Sequence, residues 1–229
     1  MTCGVIVPAA GAGTRMRAPV PKQFLKLGAK EILARTLGHF QSAPEIGRIV
    51  VAVPAGHTAD VIGMVRRYRM TKVTDVISGG RRRQDSVRNG LDVFGSEPPD
   101  AVLVHDGVRP FITHDLLKRL LLALSTSGAA MAAVLAKETV KLVDRLVVQS
   151  TPDRAKVWIA QTPQAFRYAT LRRAYDAAAE DRFRGTDDAS LVERIGVRVK
   201  IVQGSYENIK ITTAEDFELA KIIAKKFLW

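Results

Sequence analysis

Val5-Ile6-Val7-Pro8-Ala9-Ala10-Gly11-Ala12-Gly13-Thr14-Arg15-Met16, followed by Pro21-Lys22-Gln23-Phe24, decides how this chain is read. A short apolar run ends in small residues and two glycines, and two cations, Arg15 and Lys22, stand seven positions apart. The run reads as a buried strand, and the glycines as a loop whose backbone amides can approach a ligand closely. Bare N–H groups backed by Arg15 and Lys22 make a receptor for a polyphosphate. The plainer reading is a tight strand-to-helix turn with cations on the surface.

Three loop classes separate on spacing. A dinucleotide-binding turn requires Gly-x-Gly-x-x-Gly with an acidic residue about 20 positions on. Here Met16 stands where the third glycine belongs. A P-loop requires Gly-x-x-x-x-Gly-Lys-Ser/Thr, and that string does not occur. Ala-Ala-Gly-x-Gly-x-Arg-Met followed by Pro-Lys-Gln resembles instead the signature loop of nucleotidyltransferases that act on sugar and polyol phosphates.

At 229 residues the chain is long enough to bury a substantial core as one domain. An apolar content of 47% and a charged content of 25% are those of an ordinary globular protein. No uncharged apolar run of about 18 residues is present, so no membrane span is expected. The chain enters its first strand without a charged and then apolar leader, which makes the cytoplasm the expected location. The single Cys3 allows no internal disulfide and suits a reducing compartment.

The net charge of +12 gathers in Arg66-Arg67-Tyr68-Arg69, Arg81-Arg82-Arg83 and Lys225-Lys226. Clustered cations are the footprint of nucleic-acid binding, but the aromatic content is only 6% and no recognisable nucleic-acid module appears. Two other readings are a field that gathers nucleotides and sugar phosphates and a solvated basic surface.

Apolar spacing predicts helices over 31–40, 58–69, 113–125 and 171–179, and strands over 49–53, 73–77, 101–104 and 197–202. Such alternation indicates an α/β fold with a doubly wound, mostly parallel sheet of Rossmann-like form. In such sheets ligands sit beyond the carboxyl ends of the strands. Segments 9–22, 79–86 and 105–110 all follow strands on that edge. From about 136 to 159 the pattern changes to short β pieces around a turn at Asp144-Arg145. This reads as a projecting β-arm on a single domain spanning 1–229. A small arm cannot bury its own apolar face, so a symmetric homodimer is expected; a local edge hairpin in a monomer is the other reading. Thr162–Phe166 reads as a loop, and Thr186 opens a short helix, as its N-cap or with its hydroxyl facing a ligand. Glu207–Ile211 reads as a short strand or loop, and Thr212-Thr213-Ala214-Glu215 as a capping box for the last helix.

Val-His-Asp-Gly-Val-Arg-Pro, Gln-Thr-Pro-Gln-Ala-Phe, Thr-Asp-Asp-Ala-Ser and Glu-Asn-Ile-Lys-Ile-Thr follow the first loop in order. In this the chain resembles the 2-C-methyl-D-erythritol 4-phosphate cytidylyltransferase family from residue 5 to about residue 224. The resemblance implies transfer of a cytidylyl group from CTP to methylerythritol phosphate, with release of pyrophosphate, in isoprenoid precursor synthesis. It implies that Arg15 and Lys22 stabilise the transition state and that Ala9, Ala10, Gly11, Ala12 and Gly13 wrap the nucleotide. Gly80 and Ser86 then help select cytosine, Asp106, Arg109 and Thr186 contact the polyol, and Lys210 positions its phosphate. Arg154 and Thr139, in the arm, reach that phosphate in a neighbouring subunit. The chain departs from the common pattern at Gly107-Val108, where two alanines are frequent, and at Glu207, where Asp is frequent.

The chemistry points the same way. A phosphate monoester has its second pKa near about 6 and is largely a dianion at neutral pH, so no general base is required. Positioning and fixed charge then supply the catalysis. Mg²⁺ or another divalent ion is expected to bridge the nucleotide phosphates, with Asp106 as the carboxylate expected near it; contact with the polyol alone is the other reading of Asp106. His39, His57, His105 and His114 show no metal-ligand spacing and read as surface or packed imidazoles. A ribitol 5-phosphate cytidylyltransferase and a non-catalytic nucleotide-binding protein remain as alternatives. The former group tends to carry Ala-Gly-Gly where this chain has Ala9-Ala10-Gly11, and the latter would be expected to lose Arg15, Lys22 or Lys210. Neither a nucleic acid nor a membrane is an expected partner.

Overall fold

A computed structural model of the chain describes residues 1–11, 16 and 20–227. Strand β1, Cys3–Pro8, is followed by a 3-10 turn at Lys22–Phe24 and a small hairpin of β2, Lys26–Leu27, and β3, Lys30–Glu31. Then come α1 (Ile32–Ser42), β4 (Arg48–Val53), α2 (Thr58–Arg67), β5 (Val73–Ser78), α3 (Arg83–Val93), β6 (Ala101–Val104) and α4 (His114–Ser127). The second half runs β7 (Ala129–Leu135), β8 (Leu142–Asp144), β9 (Val147–Ser150), β10 (Trp158–Arg167), α5 (Tyr168–Glu180), α6 (Asp188–Arg194), β11 (Lys200–Gln203) and α7 (Ala214–Ala224).

Seven strands form the central sheet in the order β5-β4-β1-β6-β10-β7-β11. β1, β4, β5 and β6 are mutually parallel, β11 is parallel to β7, and β10 alone runs against its neighbours β6 and β7. Alternate side chains of β1 face opposite layers, as the two-residue period of a strand requires. Val5 and Val7 pack with Leu33, Leu37 and Phe40 of α1, Met64 of α2 and Leu117 of α4. Ile6 packs with Val87 and Leu91 of α3, Tyr175 of α5 and Leu191 of α6. A sheet covered on both faces explains why β1, β4 and β6 read as continuous apolar runs rather than alternating ones.

Several boundaries differ from the reading of the sequence. Thr162–Phe166 is not a loop but the second half of β10, whose pairing with β7 shifts between Ala160 and Gln164. Pro163 sits in that irregularity, where a missing ladder donor is tolerated. β7 was not anticipated at all, because Ala129-Ala130-Met131-Ala132-Ala133 lacks the β-branched residues that mark strands. The arm hairpin turns at Arg145-Leu146, with φ of 46° and 66°, one residue later than expected. Two residues with positive φ make the turn that matches strand twist. β11 begins only at Lys200, whereas Glu207–Ile211 takes the loop form of the two that were expected. The box at α7 is closed by Asp216, which accepts from the Thr213 amide at 2.9 Å, rather than by Glu215. α6 is capped by Asp187, not Thr186, through the Ser190 amide at 2.9 Å.

Candidate active site

The strand ends β1, β5 and β6 open into one cleft of about 220 Å³. From β1, Ala9, Ala10 and Gly11 form its floor, and the Ala9 amide donates to the Ala52 carbonyl of the adjacent strand at 2.7 Å. The buried Gln23 amide donates to the Ala9 carbonyl at 2.7 Å and to the Gly11 carbonyl at 3.4 Å. This ties the first loop to the turn that carries Lys22. Lys22 is itself largely buried and lines the cleft.

From β5, the chain enters α3 through a tight turn. The Gly80 amide donates to Ser86 Oγ at 3.1 Å, and that hydroxyl donates to the Arg82 carbonyl at 3.1 Å. A Cβ at Gly80 would stand 2.2 Å from the Asp85 Cβ, so the turn admits no side chain there. The turn and the start of α3 line the cleft through Gly80, Arg81, Arg82, Arg83 and Ser86.

From β6, His105 and Asp106 follow directly. The Asp106 amide donates to Thr162 Oγ1 at 3.1 Å, and Thr162 Oγ1 lies 3.1 Å from His105 Nδ1. His105 Nε2 lies 2.9 Å from the Arg109 carbonyl. One assignment satisfies all three contacts. Thr162 accepts from the amide and donates to Nδ1, while Nε2–H donates to the carbonyl. Burial pushes the His105 imidazole down to about 3, so it stays neutral.

Asp106 is held on both oxygens. Arg83 Nε is 2.8 Å from Oδ1 and Lys210 Nζ is 2.7 Å from Oδ2, with Arg109 Nε at 3.8 Å. Lys210 arrives because the Ile211 amide donates to the Val108 carbonyl at 3.0 Å. Arg83 also pairs with the buried Asp188 at 2.8 Å, and Asp188 accepts from the Tyr175 hydroxyl at 2.6 Å. Burial alone would raise the Asp106 carboxyl, but Arg83 and Lys210 hold it well below the usual carboxylate range. Burial likewise opposes the Arg83 charge, and Asp188 and Asp106 outweigh it.

The family 2-C-methyl-D-erythritol 4-phosphate cytidylyltransferase matches residues 3–226 of this chain. The chain belongs to that family. It is 46% identical to the 2-C-methyl-D-erythritol 4-phosphate cytidylyltransferase of Geobacter metallireducens over 100% of both chains. It is 47% identical to that of Geotalea uraniireducens over 98% of this chain and 97% of the relative. The crystal structure of 4-diphosphocytidyl-2C-methyl-D-erythritol synthase from Anaerococcus prevotii superposes with a TM-score of 0.87 at 32% identity, covering 98% and 96% of the two chains. The 2-C-methyl-D-erythritol 4-phosphate cytidylyltransferase from Thermus thermophilus gives 0.81 at 32% identity, covering 98% and 100%.

Of the residues singled out from the family resemblance, Ala9, Ala10, Gly11, Lys22, Gly80, Ser86, Asp106 and Lys210 line this one cleft. Ala12, Gly13 and Arg15 lie outside the described residues. Arg109 is half-buried beside Asp106, and its Nη1 donates to the Asn208 carbonyl at 2.6 Å. Thr186 is exposed, one position before the cap of α6. Thr139 and Arg154 are exposed around the arm, and Arg154 Nη1 donates to the Lys137 carbonyl at 3.2 Å. None of these last four lines the cleft. At Gly107 a Cβ would stand 2.8 Å from the Ala9 Cβ. Glycine at 107 therefore lets the first loop pack directly on the third. Glu207 pairs with Lys226 at 2.6 Å.

Sequence reading missed Arg83, which looked like part of a surface basic run, and Asp188, which looked like part of a helix start. It also gave no task to Gln23, Thr162 or His105. Each is polar and buried or half-buried next to a strand end, but only tertiary pairing reveals the partner.

Proposed function

We propose that this protein transfers the cytidylyl group of CTP to 2-C-methyl-D-erythritol 4-phosphate, giving 4-diphosphocytidyl-2-C-methyl-D-erythritol and pyrophosphate. The observation that carries this reading is the convergence of a small-residue loop, Lys22 and the Lys210–Asp106 pair in one cleft. Full-length membership of the cytidylyltransferase family supports it.

A phosphate oxygen of the polyol attacks the α-phosphorus of CTP, a new P–O bond forms, and the α–β bridge bond breaks with its electron pair leaving on pyrophosphate. No proton has to move. Lys22 faces the developing charge, and Arg15 is proposed to do the same. The amides of 9–13 and the Gly80–Ser86 turn hold the nucleotide, with Gly80 and Ser86 nearest the cytosine. Lys210 positions the polyol phosphate while Asp106 accepts from the polyol hydroxyls. Arg83 and Thr162 keep that carboxylate fixed, so little reorganisation is needed at the moment of transfer.

A divalent ion fits this donor set. Asp106 is the acidic residue among those lining the cleft, and Mg²⁺ characteristically takes one or two carboxylates plus substrate phosphates. Among the described residues no cluster of three His, Cys, Asp or Glu could hold a metal alone, which suits an ion brought in with the nucleotide. Bound there, Mg²⁺ would offset phosphate charge, with Asp106 as its protein ligand.

We further propose a homodimer built on the arm. Leu142, Val143, Val147 and Val148 of the β8–β9 hairpin are all more than half exposed, and Ile159 of β10 beside it is 51% exposed; a two-stranded ribbon does not stand alone in water. A second copy covering it would carry Arg154 and Thr139 towards its partner's cleft, and Arg109 and Thr186 complete the polyol side. Among the described residues no helix is long and apolar enough to cross a membrane.

Phosphorus NMR of the protein with Mg²⁺, CTP and polyol phosphate labelled with ¹⁸O in its phosphate tests the reaction. The label should appear in the bridging oxygen of the product and never in pyrophosphate. Labelled pyrophosphate, or no coupled product, would contradict it.

A further inference from the structure

Behind the Gly80–Arg83 turn lies a second cleft of about 300 Å³, separate from the one described above. Its walls carry Arg82, Arg88, Arg182 and Arg184, with Tyr175, Ala178 and Phe183 forming an apolar side. Several arginines of this chain are matched with carboxylates, as in Arg48–Asp75, Arg67–Glu31, Arg119–Asp115, Arg172–Asp92 and Arg194–Asp181, while others such as Arg66, Arg69 and Arg173 stand singly on the surface among the described residues. Among the described residues none of these four guanidinium groups forms an ion pair. The acid within the cleft is Asp85, and one of its oxygens already accepts from the Arg82 amide at 3.0 Å.

Four exposed cations against one carboxylate, gathered around a concave site, favour a small polyanion. Guanidinium forks suit phosphate oxygens in particular. The volume is that of a small molecule rather than a groove for a nucleic-acid strand. We propose that this cleft is a second anion site for a diphosphate group, either free or esterified to a short apolar chain that lies against Phe183 and Ala178. The two clefts are neighbours across one residue. Arg82 lines both, and Gln84 bonds the Phe183 carbonyl and the Gly185 amide, each at 3.2 Å.

Calorimetric titration of the full chain with inorganic pyrophosphate, at saturating CTP and without divalent metal, tests this. CTP occupies the nucleotide side of the first cleft, and the share of pyrophosphate binding that depends on Arg88 and Arg182 reports the second. An Arg88→Ala/Arg182→Asn variant should bind pyrophosphate at least about tenfold more weakly while keeping its initial turnover with CTP and polyol phosphate; asparagine suits the positive φ of 53° at position 182. Arg184→Ala, on the exposed loop, should give a smaller loss without touching the core. A parallel titration with an alkyl diphosphate distinguishes the source, since tighter binding than pyrophosphate assigns an ester and weaker binding assigns the free ion. Absence of binding at saturating CTP, or equal binding by the double variant, would overturn the proposal.

Discussion

Lys210 places its ammonium 2.7 Å from Asp106 Oδ2, joining a loop before the last helix to the end of the sixth strand. On the function proposed above, the contact closes the polyol side of the cleft. Lys210→Ala should therefore leave the fold intact, because Arg83 still neutralises Asp106 on its other oxygen. Turnover should fall by about 100- to 1000-fold, as for loss of a preorganised transition-state donor. Pyrophosphate release together with an unchanged circular dichroism melt checks both halves.

Thr162 is the hinge of a relay from the Asp106 amide to the His105 ring. Thr162→Val keeps the shape and removes the hydroxyl, leaving a buried amide and a ring nitrogen unpaired. The cost should be about 1–3 kcal/mol in denaturant-derived stability. Thr162→Ser should restore most of it. A fall in kcat larger than the rise in KM would assign Thr162 to positioning Asp106 rather than to binding.

His105 is buried neutral, with its folded pKa lowered from 6.5 to about 3 by burial. Below pH 6.5 the unfolded chain takes up a proton that the folded chain refuses. Stability thus falls as the pH drops from 6.5 towards 3. His39 is shifted down in the same sense by burial, so a variant at 105 should retain part of the slope. Asp106 contributes only lower, below its ordinary value of 3.8, where losing its charge costs the pairs with Arg83 and Lys210. Urea unfolding at pH 7 and pH 5 should show a smaller difference for His105→Gln than for the unaltered chain.

Arg154 and Lys22 lie on different parts of the proposed dimer, one around the arm and one in the cleft. Arg154→Ala and Lys22→Ala should each abolish most turnover alone. Mixed after co-refolding, they should recover about a quarter of full activity, because about half of random dimers carry one intact site. Recovery absent in dimers shown to be mixed would place each site within one chain.

The alternation of strands and helices and the convergence of three loops were legible in the sequence, because buried parallel strands are apolar throughout. That Lys22, Asp106 and Lys210 would meet in one cleft was legible through their motifs. β7 escaped because alanine carries no strand signal, and the strand over Thr162–Phe166 was obscured by Pro163, which normally argues against one. The roles of Arg83 and Asp188 were hidden for another reason. Their partners lie 23 and 105 positions away from Arg83, and spacing along the chain cannot reveal an ion pair that the sheet assembles. The need for glycine at 107 comes from Ala9, 98 positions earlier, whose Cβ would lie 2.8 Å from a Cβ there.

The most direct test compares kcat/KM for pyrophosphate release with CTP, UTP and ATP, each offered 2-C-methyl-D-erythritol 4-phosphate or ribitol 5-phosphate in the presence of Mg²⁺. CTP with the methylerythritol substrate should exceed every other pair by at least about 100-fold, the discrimination expected when polar groups read a base or a hydroxyl. Equal or faster release with ribitol 5-phosphate, or with another nucleotide, would contradict the account.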